Sequence, residues 1–527
     1  MRAITVHPVV AAEASRISSR SLSSRLNAFS VAPSKAFLRI VSVLTGFGRI
    51  HQRYTVAKLH EFEHYRQTTS LWRVVGILLS TPVLGFLGTL FPVWIPLQDP
   101  RLGFSNNPGS LVHYFLMVVL ATLGATLIPR ACIGFTREQF SRTKVGIIVG
   151  CVAVSTTGVY AIAASIWRFP VLFAIILSSA VFCPSIILCH SFLLKDLLAK
   201  SSPYRKQLLG SVPWVVVRCS QIVIYPAFTA LFEVVDAGHQ ILLTLAFPIL
   251  KHCIKTISRK VGKGFNDFNE EMAVTGVEIS ASLYQSMLMQ STPSLLTTAI
   301  IIMVDVVHGL LGIKVFMDKP SIVTRHAVLE TALRHIEKSR LEKKSVTWAD
   351  LRQSQFRPTM ASDKRKVMIE EQQLGDVVVI QALEILQAAE NILFVEYFGV
   401  AIPIVNVIYL AIASQADSAR YNPKLAPFHA SNERLVDGVR AILVYSLLQS
   451  VTLLAMLAVM RYRYRLSTAR LLSFILERHW WSLQGKMIGW LPLFLHFSLL
   501  HYGADFKFKF DIEHSVQDTE SQQEVPS

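Results

Sequence analysis

Cysteine is scarce in this 527-residue chain: there are six, with no CxxC spacing among them. That excludes a disulfide-stapled scaffold and the paired-thiolate zinc modules. No Asn-x-Ser/Thr sequon occurs, so no face is marked for glycosylation. GxxxxGK[ST], a GxGxxG following a strand, and GxSxG are missing as well. Phosphate-cradle, dinucleotide and nucleophile-elbow chemistries lose their usual signatures with them. Acidic residues are in short supply, 35 against 52 Lys and Arg, which leaves a formal net charge of +17.

What the chain has in plenty is apolar side chains. They make up 52% of the residues and recur in runs near twenty long. A run of that length crosses a ~30 Å hydrocarbon core as a helix, so the fold class is an all-α polytopic helical membrane protein. The basic residues lie between the runs. They fit the positive-inside rule and contact with anionic lipid headgroups, and not a nucleic-acid partner.

Spans are expected at residues 74–95, 111–129, 145–166, 169–190, 212–232 and 240–255, then a polar helical hairpin at 270–316. Further spans follow at 391–414, 438–460 and 487–502, giving about eleven crossings, with a range of about 9–11. Every second loop is rich in Lys and Arg, which puts the N-terminus in the cytosol and the acidic tail on the opposite face. The organisation is then a Ser/Arg-rich arm (1–35), an amphipathic juxtamembrane region (36–72), a first bundle part (73–313), a cytosolic polar segment (314–376), a second bundle part (377–503) and an acidic tail (504–527). Arg2, Arg16, Arg20 and Arg25 in the arm suit either a mitochondrial transit peptide or a disordered cytosolic extension. Residues 50–70 read as an amphipathic helix on the membrane surface, and 324–344 as a surface helix with Glu330 and Arg334 at i,i+4 spacing.

The hairpin organises the rest. Its apolar run carries Glu278, Gln285, Gln290, Asp305 and His308, and ionisable groups at such depth face a bundle interior or a wet cavity. Its first arm fits a full crossing or a re-entrant loop. At 1.5 Å per residue, Arg218 and Glu278 lie roughly 9 Å from the cytosolic end of their spans, Asp305 about 12 Å and Glu396 roughly 8 Å. The expectation is one buried ionic layer of Arg218, Glu278, Asp305, His308 and Glu396, serving either as a path for an ion or solute or as a lock between helices.

Other patterns carry less. His60-Glu61-Phe62-Glu63-His64 matches HExxH, where His60 and His64 would hold zinc and Glu61 would polarise a water, but no third ligand follows at a recognisable spacing. Cys189-His190 and His252-Cys253 would make a metal site only if the fold joined them. Gly146 and Gly150 form a GxxxG, a mark of close helix packing. No cofactor and no catalytic residue is indicated.

Two stretches, STPSLLTTAIIIMVDVVHG and AAENILFVEYFGVAIPIVNVIYLAIASQADSARYNP, together with the span spacing over about residues 70–503, resemble a large family of multi-pass transmembrane proteins of oomycetes. The resemblance implies the same topology and Glu396-Tyr397 followed by Pro403; it supplies no catalytic or binding residue. The function expected is transporter- or channel-like. The alternative is a membrane scaffold or sensor whose segment 314–376 binds a cytosolic protein, and a third reading is the zinc peptidase.

Overall fold

The computed structural model describes residues 55–136, 138–171, 174–262, 268–291, 295–317, 328–341, 363–422 and 424–496. The Ser/Arg-rich arm, the acidic tail and residues 318–327 and 342–362 of the polar segment lie outside them. The architecture is all-α, with no strand among the described residues. Among the described residues fourteen helices of ten residues or more carry it: α1 (Val56–Thr68), α2 (Leu71–Trp94), α3 (Pro108–Ile133), α4 (Arg142–Ile166), α5 (Ala174–Leu193), α6 (Arg205–Val234), α7 (Ala237–Val261), α8 (Asn269–Ser291), α9 (Leu295–Met317), α10 (Val328–Leu341), α11 (Asp363–Ala413), α12 (Asn432–Tyr464), α13 (Thr468–Arg478) and α14 (Trp480–Leu495).

Helices α2, α3, α4, α6, α7, α9, α11 and α12 are long and apolar enough to cross a membrane. The count of eleven from the sequence adds α5, α8 and α14 to these eight. Helix α8 falls short by polarity and α14 by length, yet both sit inside the bundle, packed on each other and on their neighbours. As a continuous helix of 23 residues, α8 extends about 34 Å, comparable to the thickness of a ~30 Å hydrocarbon core.

Burial sorts the helices into an inner and an outer set. Only 28–44% of most candidate spans is buried, which leaves their Leu, Ile and Val side chains on the outside, whereas 78% of the α11 span is buried. In α8 every residue from 271 to 286 is buried. These two helices pack against each other, and α7, α12, α14 and α6 close around α8. The second arm of the hairpin, α9, packs chiefly on α12 and α7, so the two arms diverge and α7 fills the angle between them.

Local chemistry fixes the ends and breaks. Thr55, Ser70, Ser141 and Ser431 cap α1, α2, α4 and α12 by accepting a backbone N–H three residues on. Gly134, at φ +72°, ends α3 in the left-handed region that glycine enters without steric cost. Pro82 interrupts α2, and because it has no N–H the carbonyl of Leu78 loses its helical donor. The Tyr397 hydroxyl of α11 donates to that carbonyl at 2.7 Å, and Gln484 of α14 donates to the neighbouring Thr81 carbonyl at 2.8 Å.

Several expectations change here. The close glycine packing is not at Gly146 and Gly150, where an added Cβ would meet nothing within 4 Å; it is where α3 crosses α14. A Cβ on Gly124 would lie 2.5 Å from the carbonyl oxygen of Gly485, and Gly485-x-x-x-Gly489 is itself a GxxxG. The last span begins at Trp480 and not near 487, and residues 497–502 lie outside the described part. Helix α1 is docked on protein instead of lying free on the membrane surface. Leu59 and Phe62 are fully buried, with Phe62 and Tyr65 against Phe474 of α13, and Lys58 reaches Glu390 of α11 at 2.6 Å. Burial above all, with Glu477 adding to it, pushes the Tyr65 phenol above its ordinary pKa, so it stays a donor to Glu477. Finally, residues 363–390, expected as polar insert and connection, continue α11 as one helix of 51 residues. Helix α10 lies on α11, with His335 3.0 Å from Asp376 and the i,i+4 pair Glu330–Arg334 formed on its exposed side.

Candidate functional site

Three consecutive helices build the site. Helix α8 presents Glu278, α7 presents Lys251 and Lys255 one turn apart, and α9 presents Asp305 and His308. Lys251 Nζ lies 3.0 Å from Glu278 Oε2, and Lys255 pairs with Oε1, so both carboxylate oxygens are held by ammonium groups. All three side chains are buried, Glu278 at 1% exposure. A charge taken that deep is tolerated only with such partners.

Beside the pair lies a cavity lined by Lys251, Lys255, Gln285, Asp305 and His308, with Phe228, Phe232 and Phe247 supplying its apolar wall. Its volume is ≈ 30 Å³. One water needs about 10–15 Å³ by that measure, so the space suits about two waters. Pro248 and Thr244 also line it; the proline removes the donor that the Thr244 carbonyl would otherwise meet, adding a backbone acceptor to this stretch of α7.

Behind Asp305 a run of polar groups leads into α12 and α11. Tyr445 and Gln449 both donate to Asp305 Oδ2, Gln449 at 2.6 Å. The Thr452 hydroxyl lies 3.3 Å from Gln449 Oε1 and donates to Glu396 Oε2 at 3.0 Å. Glu396 comes this close to α9 because Gly309 has no side chain: a Cβ there would stand 3.3 Å from the carboxylate. Further out, Asn406 of α11 donates to Ser286 of α8 at 3.0 Å.

Of the five residues expected in one layer, the structure brings four into one neighbourhood and places the fifth apart. Asp305 and His308 line the cavity, Glu278 is tied to it through Lys251 and Lys255, and Glu396 reaches Asp305 through Thr452 and Gln449. Arg218 belongs elsewhere. It wraps over Gly276, whose missing side chain makes the space, donates to the Met272 carbonyl and to Gln221, and lies over the Trp214 ring. Its neighbourhood holds a second buried pair, Lys486 of α14 with Glu271 of α8, completed by Thr275 and Ser482. Depth alone could not separate these two groups, since Arg218 and Glu278 sit at similar heights on different sides of α8.

The residues missed from sequence are the lysines. Lys251 and Lys255 read as the basic end of a span, although their i,i+4 spacing beside Pro248 marked one helix face turned toward something. Tyr445, Gln449 and Thr452 carry no signal beyond polarity in an apolar run.

The other candidates do not assemble. His60 and His64 border a shallow open depression between α1 and α13, where Glu61 is engaged by Arg478. Among the described residues no group of three His, Cys, Asp or Glu side chains converges to hold a metal. His190 bonds the Ile186 carbonyl of its own helix while His252 faces Thr256 at the cavity, so the two Cys/His pairs are not joined. No protein-family model, curated protein or solved structure matches this chain.

Proposed function

We propose that this protein is a transporter- or channel-like membrane protein whose path runs through the cavity between α7, α8 and α9. The observation that carries this reading is a cavity lined by Lys251, Lys255, Asp305 and His308, with Glu278 bound on both lysines, among helices long enough to span a membrane. A lock between helices needs paired charges but no space beside them; a path needs both. A space of ≈ 30 Å³ favours small ions over organic solutes. Anionic headgroups against the Lys- and Arg-rich face are part of the same proposal, as is kinship with the oomycete multi-pass family.

The competing reading is a scaffold whose segment 314–376 binds a cytosolic protein, with α10 presenting its exposed Glu330 and Arg334. Reconstitution of the full chain into liposomes separates the two. A path gives ion flux that Glu278→Gln and Asp305→Asn abolish while the purified variants keep their elution profile and helical content. A scaffold gives no flux in the parent, and the same substitutions only lower its melting temperature.

A further inference from the structure

Resting on that reading, we propose that the ion handled by the cavity is the proton, with Asp305 as the group that takes it up. The charges around the cavity argue for this. Over the four groups nearest the space, Lys251 and Lys255 stand against Asp305 and against Glu278, which binds both lysines from behind, so their formal sum is zero with the histidines neutral; Glu396 stands one step further back, reached only through Thr452 and Gln449. A bound metal cation needs an excess of oxygen ligands, and an inorganic anion an excess of positive charge. Neither exists here: both oxygens of Glu278 are engaged by ammonium groups, and the space has room for about two waters. A proton requires only a titratable acceptor and water.

Asp305 is built as that acceptor. The hydrogen bonds from Tyr445 and Gln449 both fall on Oδ2, which fixes the carboxylate while the residue lines the cavity. In the step, a hydronium in the cavity gives its proton to Asp305 Oδ1: one O–H bond breaks, one forms, and a neutral water remains. The carboxylate becomes a neutral acid. The local sum then rises from zero to one positive charge, which pushes the proton onward to water or to His308, one turn along α9. Entry is favourable and retention is not, the balance conduction needs. The titratable and charged groups facing Asp305 and His308 are Lys251, His252 and Lys255 of α7, Glu278 of α8, Glu396 of α11 and Tyr445 of α12.

The test uses the full chain in phosphatidylcholine–phosphatidylglycerol liposomes, with a pH dye inside and potassium plus valinomycin setting the potential. Parallel vesicles report sodium, potassium and chloride movement. Expected is acidification that follows the potential, falls to the level of protein-free vesicles in Asp305→Asn, and persists in part in Asp305→Glu. Wild-type flux of sodium, potassium or chloride without proton movement overturns the proton assignment and leaves the path reading standing. No flux of any ion overturns both. Full proton flux in Asp305→Asn overturns the role of Asp305. The wild-type selectivity needs no variant, so a misfolding substitution does not blunt the test.

Discussion

Helix α8 carries two buried carboxylates two turns apart, and they live in different surroundings. Glu271 meets a single lysine, Lys486, at 1% exposure, with Thr275 and Ser482 filling the remaining positions. Glu278 meets two lysines and has a cavity and a second acid beside it. The first site is closed and saturated; the second keeps a cavity and a second carboxylate beside it. Burial of charge alone therefore does not mark a functional site. What separates the two sites is the space left over beside the buried charge.

The largest expected effect breaks the closed site. Lys486→Met leaves Glu271 buried without its ammonium, which should cost about 3–5 kcal/mol in the unfolding of purified protein. Replacing both partners, Glu271→Met with Lys486→Met, should recover most of that loss, because two apolar groups need no compensation. If the double variant is as unstable as the single, the closed site is more than a lock.

Next comes the crossing that holds α14 against α3. Gly124→Ala puts a methyl 2.5 Å from a backbone oxygen, so the helices must separate, at roughly 1–3 kcal/mol, seen as a lower melting temperature. Gly146→Ala, with open space around it, should leave stability within about 0.5 kcal/mol. Tyr397→Phe should cost about 1–3 kcal/mol by stranding the Leu78 carbonyl at the Pro82 break.

At the open site the comparison sharpens. Tyr445→Phe removes one of two donors to Asp305 and should lower stability by only about 0.5–1.5 kcal/mol while altering flux measurably in liposomes. The smallest effect belongs to His60→Ala in α1: stability within about 0.5 kcal/mol and no change in metal content by elemental analysis. Bound zinc lost in that variant would instead revive the peptidase reading.

Much of this was legible in the chain. Apolar runs gave the helices and their order, and the acids at 278, 305 and 396 with His308 stood out because ionisable groups do not enter hydrocarbon without cause. Lys251, Lys255 and Lys486 did not stand out, because a lysine near a span end looks the same whether it points to lipid headgroups or to a buried acid. Lys58 was hidden likewise inside what read as a surface helix.

The sequence by itself determined an all-α membrane protein, an alternating basic topology, and a polar hairpin at its centre, since these follow from hydropathy and length along one dimension. Only the tertiary structure decided the partners. It sent Arg218 to a backbone carbonyl, split the carboxylates of α8 between a closed and an open site, and chose Gly124 and Gly485 over Gly146 and Gly150 as the close crossing. Those outcomes depend on which faces of distant helices meet, and a face has no neighbour until the bundle has formed.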